Sequence, residues 1–487
     1  MQETEAAVVG VDLGTSGVRA IAASMDGRVL ATASRSLAAA QVVAGDERHE
    51  QDPVAWWEST RAALQELGAK LAAAGVPAAA VRGIAIDGTS GTVVFADRDL
   101  RPLRAAIMYN DGRAAAEAEA LNEMAGDLCT RLGYRFAASY ALAKILWVQR
   151  HEPRVFAATR HVLHQADYIA AQLLQQPPLT DYSNALKTGY DLIAGAWPPW
   201  VSGLGDLGAR LPAVVAPGAP LGVAAPRAAS ACGLPAGLQV IAGATDGTAA
   251  VLASGARRVG DYNTTLGTTL VFKALGERLV SHPRGLIYSH KLPGGRWLPG
   301  AASNTGSEWI AQQFAGQDVG EMDAAAARRL PVPVPAYPLA RKGERFPFLA
   351  PAAVGLFPPA ELDPESRYAA CLQGTACVER LAYETIDAAA GLAGGEVYAT
   401  GGGSRSDVWM QVRADVTGRT LHRPGCPESA FGSAVLAAAG VSGRDLWETA
   451  AAMVRRQASF APDATRASRY EEVYGRLCAE LHRRGWL

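Results

Sequence analysis

Apolar stretches of strand length, broken by glycine and hydroxyl residues, fill the first forty positions of the chain. Val8–Asp12, Val18–Ser24 and Arg28–Ser36 read as three strands, with turns at Gly14–Gly17 and Asp26-Gly27. A helix is predicted from Pro53, where proline suits a first helical turn, to about Lys70. Val81–Ile86 follows as a β-branched, apolar run expected to be a short buried strand. In the second half, Val240–Ala244 reads as a strand and Gly247–Ser254 as a helix. Asp261–Lys273 reads as a hairpin, and Glu396–Thr400 as a strand running into Gly401-Gly402-Gly403. A helix from about Ser406 to Thr417 comes next, while the proline-rich stretches Leu330–Pro338 and Leu356–Pro364 are expected as surface loops.

Three antiparallel strands, a helix and a further strand is the element order of a ribonuclease-H-like unit. One tripeptide, Leu-Gly-Thr, recurs at Leu13–Thr15 and Leu266–Thr268, each time between two apolar β-type runs. Glycine lets backbone pass close to a ligand there, and the hydroxyls and free N–H groups that follow suit a phosphate cradle. The repeat suggests a duplicated α/β fold around a nucleotide, divided near 240: residues 1–240 and 241–487. Asp12 precedes the first copy and Thr265 the second, so only one half keeps an acid.

Composition narrows the class. The chain has 487 residues, too many for one ordinary core. Its 49% hydrophobic and 19% charged content describe a well-buried soluble protein. A net charge of −1 implies no basic face, which argues against nucleic acid as a partner. The six cysteines, scattered without Cys-x-x-Cys spacing, are expected as buried thiols of a reducing compartment. The acidic N-terminus lacks the basic and apolar regions of a signal peptide, and no apolar run is long enough to span a membrane. The expectation is a cytoplasmic protein without a membrane partner.

Three constellations carry chemistry. Asp12 ends a strand beside the first glycine turn, placed to hold Mg²⁺ through water, and Arg19 is placed to steer phosphate or a sugar hydroxyl. Asp246, where an apolar strand meets a small-residue helix, fits either a general base for a hydroxyl or a helix N-cap. Tyr398–Asp407 runs from strand through triple glycine into helix, which lets a base and ribose lie on backbone with helix N–H groups beyond. Between them, Ile84–Thr92, Tyr109–Arg113, Gln165–Tyr168 and Thr180–Lys187 are dense in the mixed donors and acceptors that a buried polyol needs.

From about Val8 to Gly440 the chain resembles the FGGY family of carbohydrate kinases. The resemblance lies in Gly-x-Asp-x-Gly-Thr-Ser from Gly10, Asn110-Asp-Gly-Arg113, Lys144-x-x-Trp147 and Thr180-Asp-Tyr-Ser-Asn-Ala185. It continues in Thr265-Leu-Gly-Thr268 and the Gly401–Gly403 loop. It implies an α/β fold of two ribonuclease-H-like domains of the actin and sugar-kinase type. The N-terminal domain (1–240) would bind sugar, the C-terminal one (241–487) nucleotide, with a cleft between them. ATP and Mg²⁺ would be cofactors, and the γ-phosphoryl would pass to a sugar hydroxyl, with a homodimer as a possible assembly. Position by position, Asp246 matches the family's catalytic base and Asp12 its magnesium-associated acid. Thr15 to Arg19 match the first phosphate loop and Thr268 the second. Gly306 falls where the family contacts nucleotide, and Gly401, Gly402, Gly403, Ser404, Arg405 and Ser406 form its adenosine loop. Ser406 replaces an asparagine common in relatives.

The same resemblance bears on the sugar. Thr89 and Ser90 stand where glycerol kinases carry Arg-Glu and xylulose kinases usually Gln-Met-His. The combination of Ile86–Val93, Asp181–Tyr190 and Tyr288–Leu292 with Ala301–Asn304 looks most like the D-ribulose kinases. That branch implies sugar contacts at Asp12, Ser16, Gly17, Val18, Arg19 and Asp246, with phosphorylation at C5. D-Xylulose or another ketose or polyol is the near alternative. A non-catalytic actin-like ATP switch or a sugar sensor is the distant one, and no helix-turn-helix extension precedes Val8 to support a sensor.

Overall fold

The computed structural model describes residues 6–44, 47–282 and 284–487. The N-terminal reading of Met1–Glu5 lies outside the described residues. The chain forms two compact units. The first holds the described residues up to Ala253 together with His290–Gly295 and Glu428–Val454. The second holds Ser254–Ser289, Arg296–Pro427 and Arg455–Leu487. The division expected at 240/241 thus falls at Ala253/Ser254. The reason is pairing: Gln239–Ile241 lies parallel to Val81–Gly88 and completes the first unit's sheet.

That sheet runs in the order Pro220–Val223, Gln239–Ile241, Val81–Gly88, Ala7–Leu13, Gly17–Ser24, Val29–Ser36. The three strands of the opening meander form as the apolar runs predict. Ala7–Leu13 is buried at every position, as befits an interior strand covered on both faces. One cover is the helix Pro53–Ala73, started by Asp52, whose carboxylate accepts from Val54 N–H at 2.9 Å. It turns Trp56, Ala63, Leu64, Leu67 and Leu71 inward at helical spacing. The other cover comes from far along the chain. The helix Ser429–Ser442, apolar nearly all round, packs on Ala7–Leu13 and Val81–Gly88. It comes so close that a Cβ on Gly10 would lie 1.8 Å from the Ala430 carbonyl oxygen. Only glycine permits that approach.

A smaller sheet, unannounced by the sequence, lies in the same unit in the order Gln41–Ala44, His49–Gln51, Ala106–Ile107, Val93–Ala96, His161–His164. Its loops are pinned by buried polar groups. Lys144, fully buried, donates to the carbonyls of Gly91 (3.0 Å), Met108 (2.6 Å) and Ser139 (3.2 Å). Arg113 grips Asp111 with two hydrogen bonds of 2.8 and 2.7 Å.

The second unit has its own sheet, in which Arg296–Ser303, Leu270–Ala274, Tyr262–Leu266, Val397–Thr400, Leu421–Pro424 and Arg456–Phe460 follow one another. The long helix Pro364–Ala390 buries seventeen of its residues in this unit. Within it Glu379 and Arg413 form a fully buried pair at 2.6 and 2.8 Å. Of the six cysteines, all free, Cys232, Cys371 and Cys377 are buried as expected. Cys129, Cys426 and Cys478 are only partly so. No helix among the described residues is long and apolar enough to cross a membrane.

Candidate active site

The site in the first unit is built where three parallel elements end together. Ala7–Leu13 returns through Gly14–Ser16 into Gly17–Ser24, closed by Gly14 N–H to the Gly17 carbonyl at 3.0 Å. Gln51 and Leu37 hold the tip from below, donating to the carbonyls of Thr15 (2.9 Å) and Ser16 (2.9 Å). The side chains of Thr15 and Ser16 are left exposed. Asp12 pairs across the hairpin with Arg19, its carboxylate accepting from the guanidinium at 3.2 Å. Val18 turns its side chain into the core, so only its backbone could face a ligand.

Parallel pairing then decides what stands beside Asp12. Its register partner on Val81–Gly88 is Asp87, which is fully buried and accepts from the Ser433 hydroxyl at 2.6 Å. Burial, the charge of Asp12 and that of Asp246 push the Asp87 carboxyl well above the ordinary carboxylate range, against the Ser433 hydrogen bond. The sequence offered Asp87 only as part of a hydroxyl-rich stretch. Its place in an acidic cluster follows from register and from Ser433, 346 residues away.

Asp246 is reached through Thr245, whose backbone bridges to Gly88. Thr245 occupies the N-cap: its carbonyl accepts from Thr248 and Ala249 N–H, both at 2.9 Å, and its hydroxyl meets that of Thr248 at 2.8 Å. Asp246 is therefore the first residue of the helix Asp246–Ser254, not its cap. Its Oδ1 accepts from Gly247 N–H at 2.6 Å, and its side chain is partly exposed. The turn is braced by Thr245 N–H donating to Ser183 Oγ at 3.0 Å, and Ser183 donates in turn to the buried Asp181. In the other polyol-like segments several polar groups bond within the protein. Thr89 N–H and Oγ both donate to Gln165 Oε1 (2.8 and 2.7 Å), and Asp181 caps its helix through Ser183 and Asn184.

The second unit repeats the hairpin between Tyr262–Leu266 and Leu270–Ala274, closed by Gly267 N–H to the Thr269 carbonyl at 3.0 Å. Thr268 is exposed at its tip. Gly306 lies directly on this tip, where a Cβ would come within 2.2 Å of the Thr268 carbonyl oxygen. Of the three glycines after Val397–Thr400, two are required by packing. A Cβ on Gly401 (φ +84°) or Gly403 would strike Leu266 at 2.5 or 2.3 Å, whereas one on Gly402 meets open space. Ser404 is tied to the Gly401 carbonyl at 2.7 Å and buried; Arg405 is exposed. Ser406 caps Asp407–Thr417, its hydroxyl accepting from Trp409 N–H at 3.0 Å. Gly402, Gly403, Arg405 and Ser406 line one side of a cavity of about 330 Å³, with Ser307, Ile310, Tyr368 and Trp409 among the residues around it. That volume is within the range of small-molecule sites.

Two glycine-tipped hairpins, one acidic cluster and one glycine-walled cavity coincide with matches along almost the whole chain. Residues 7–253 match the N-terminal domain, and residues 262–441 the C-terminal domain, of the FGGY family of carbohydrate kinases. The chain belongs to the FGGY family. It is an ATP-dependent carbohydrate kinase. It is 30% identical over 490 residues to the xylulose kinase of Escherichia coli (strain K12), covering 97% of this chain and 99% of the relative. It is 26% identical to the autoinducer-2 kinase of Salmonella choleraesuis (strain SC-B67), over 96% of this chain and 92% of that one. Among solved structures, the xylulose kinase of Rhodospirillum rubrum superposes with a TM-score of 0.83 at 29% identity, covering 98% of both chains. A Plasmodium falciparum glycerol kinase with ADP shares the fold at a TM-score of 0.82 and 18% identity, covering 97% of this chain and 98% of that one.

Proposed function

We propose that this FGGY kinase phosphorylates a ketopentose, D-ribulose, at its C5 hydroxyl, with Asp246 as general base. The observation that carries the chemistry is the acidic cluster, in which the carboxylates of Asp246 and Asp12 both act on the buried Asp87. Asp246 takes the proton of the attacking hydroxyl as its oxygen bonds to the γ-phosphorus. The bond from that phosphorus to the β,γ-bridging oxygen breaks, and ADP leaves. Asp12, Ser16, Gly17, Arg19 and the backbone of Val18 orient the sugar. Thr15 and Thr268 present N–H and hydroxyl groups to the phosphates. Gly306, Gly401 to Gly403, Ser404, Arg405 and Ser406 shape the nucleotide's seat. In this reading the first unit takes the sugar and the second the nucleotide.

Mg²⁺ fits this donor set as a hydrated ion. Among the described residues no group of three His, Cys, Asp or Glu side chains could hold a metal alone. Magnesium prefers several waters with one or two carboxylates and substrate phosphates. Asp12 is the carboxylate that would hold it, and the ion would neutralise charge on the phosphates.

D-Ribulose is favoured over glycerol because Thr89 and Ser90 replace a charged pair by neutral groups, and Thr89 is already committed to Gln165 and Thr92. The relatives' name, xylulose kinase, supports D-xylulose as a second reading. Coupled ADP-release assays over D-ribulose, D-xylulose, ribitol and glycerol decide between them. The highest kcat/KM is expected for D-ribulose, and a higher value for D-xylulose would overturn the assignment.

A further inference from the structure

The cavity in the second unit has a wall that the glycine loop does not provide. The helix Val319–Arg329 contributes Val319, Gly320 and Asp323, and Asp323 is the one carboxylate among the lining residues. Its Oδ1 accepts from the Tyr368 hydroxyl at 2.9 Å. Oδ2 has no hydrogen-bond partner among the described residues. Tyr368 is itself fixed in an aromatic cluster, 5.3 Å from Trp309 and 5.2 Å from Phe314 between ring centres. Trp409 is anchored by its indole N–H to the Leu372 carbonyl at 3.1 Å. The carboxylate therefore stands on a rigid aromatic platform.

The walls are mostly apolar or aromatic: Ile310, Val319, Tyr368 and Trp409. Such a slot takes a flat ring, and the polar group at its edge decides which ring. A carboxylate accepts hydrogen bonds and cannot donate them when ionised. The 6-amino group of adenine offers it an N–H. The 6-oxo group of hypoxanthine or guanine turns an oxygen toward it instead, leaving two acceptors face to face. A site built to pair one substrate group rejects the analogue lacking it far more strongly than an apolar slot does.

We infer that Asp323 is the residue that selects adenine, its free oxygen accepting a hydrogen bond from the exocyclic amino group. This rests on the reading of the cavity as the nucleotide site. Asp323→Asn separates the two ideas. Asparagine keeps an oxygen for the Tyr368 hydroxyl and gains an N–H that can donate to a 6-oxo group. Steady-state kinetics with ATP and ITP, at saturating sugar, should show the ATP:ITP ratio of kcat/KM falling about tenfold in Asp323→Asn, with the ATP loss mainly in KM. Asp323→Ala should lose the preference as well, without the gain for ITP. Calorimetric titration of ATP and ITP onto each folded variant gives the same comparison independently of turnover. A ratio within twofold of the parent's in both variants would overturn the assignment. Gly402→Val tests the underlying reading, because its side chain enters open space at the cavity wall. It should raise KM for both nucleotides alike. An unchanged KM there rejects the cavity as the nucleotide site, and Asp323 with it. A raised KM combined with an unmoved ATP:ITP ratio rejects Asp323 alone.

Discussion

Asp246 shows how one residue's role depends on its neighbour. Aspartate at a strand-to-helix junction is an excellent cap, and the local sequence offers no reason to prefer catalysis. In the structure Thr245 holds the N-cap position, its carbonyl accepting the first helical N–H bonds, and Asp246 follows as the first helical residue, the place proposed for the base. Asp246→Asn should therefore lower kcat by about three orders of magnitude, the middle of the range that general-base catalysis supplies. Helix stability should be little affected, and ATP affinity measured by calorimetry should stay within about twofold. Retained turnover would return Asp246 to a structural role. Asp12 and Asp246 were both legible as strand-end acids. Asp87 was not, because its meaning comes from lying opposite Asp12 in a parallel pair and under Ser433. No spacing rule links those positions.

At the level of elements, the glycines separate into those that packing requires and those that stand free. The opening meander and both Leu-Gly-Thr hairpins follow from apolar runs and turn chemistry, and they formed where the pattern placed them. The triple glycine reads as one flexible loop in sequence. In the structure Gly401 and Gly403 lie against Leu266 and only Gly402 is open. The strongest constraint is elsewhere, at Gly10 beneath the helix Ser429–Ser442. Gly10→Ala should destabilise the first unit by about 3 kcal/mol, the cost of forcing atoms into a closely packed interface. Gly402→Ala should change stability by less than about 0.5 kcal/mol. Hydrogen exchange over residues 7–13 and 429–442 reports the first unit directly; equal protection in Gly10→Ala and the parent would contradict this packing.

For the whole molecule, the first unit is not a continuous piece of chain. Residues Glu428–Val454 return to it after most of the second unit has been traversed, bringing the helix that covers its interior strands. A fragment ending at Ala253 should therefore leave Ala7–Leu13 and Val81–Gly88 uncovered and fail to give a cooperative unfolding transition. A single polypeptide joining residues 6–253 to 428–454 through a flexible linker should recover one, as calorimetry would register. Cooperative unfolding of the shorter fragment would show the helix to be dispensable. By itself the sequence determined the α/β class, the two Leu-Gly-Thr hairpins, the glycine loop and the two strand-end acids. These are local features, set by periodicity and backbone freedom within a few residues. Only tertiary structure decided the partition at Ala253, the company Asp87 keeps, and the cavity wall on which Asp323 stands. Each of these depends on segments tens to hundreds of residues apart, brought together by strand register and apolar burial, which local patterning does not encode.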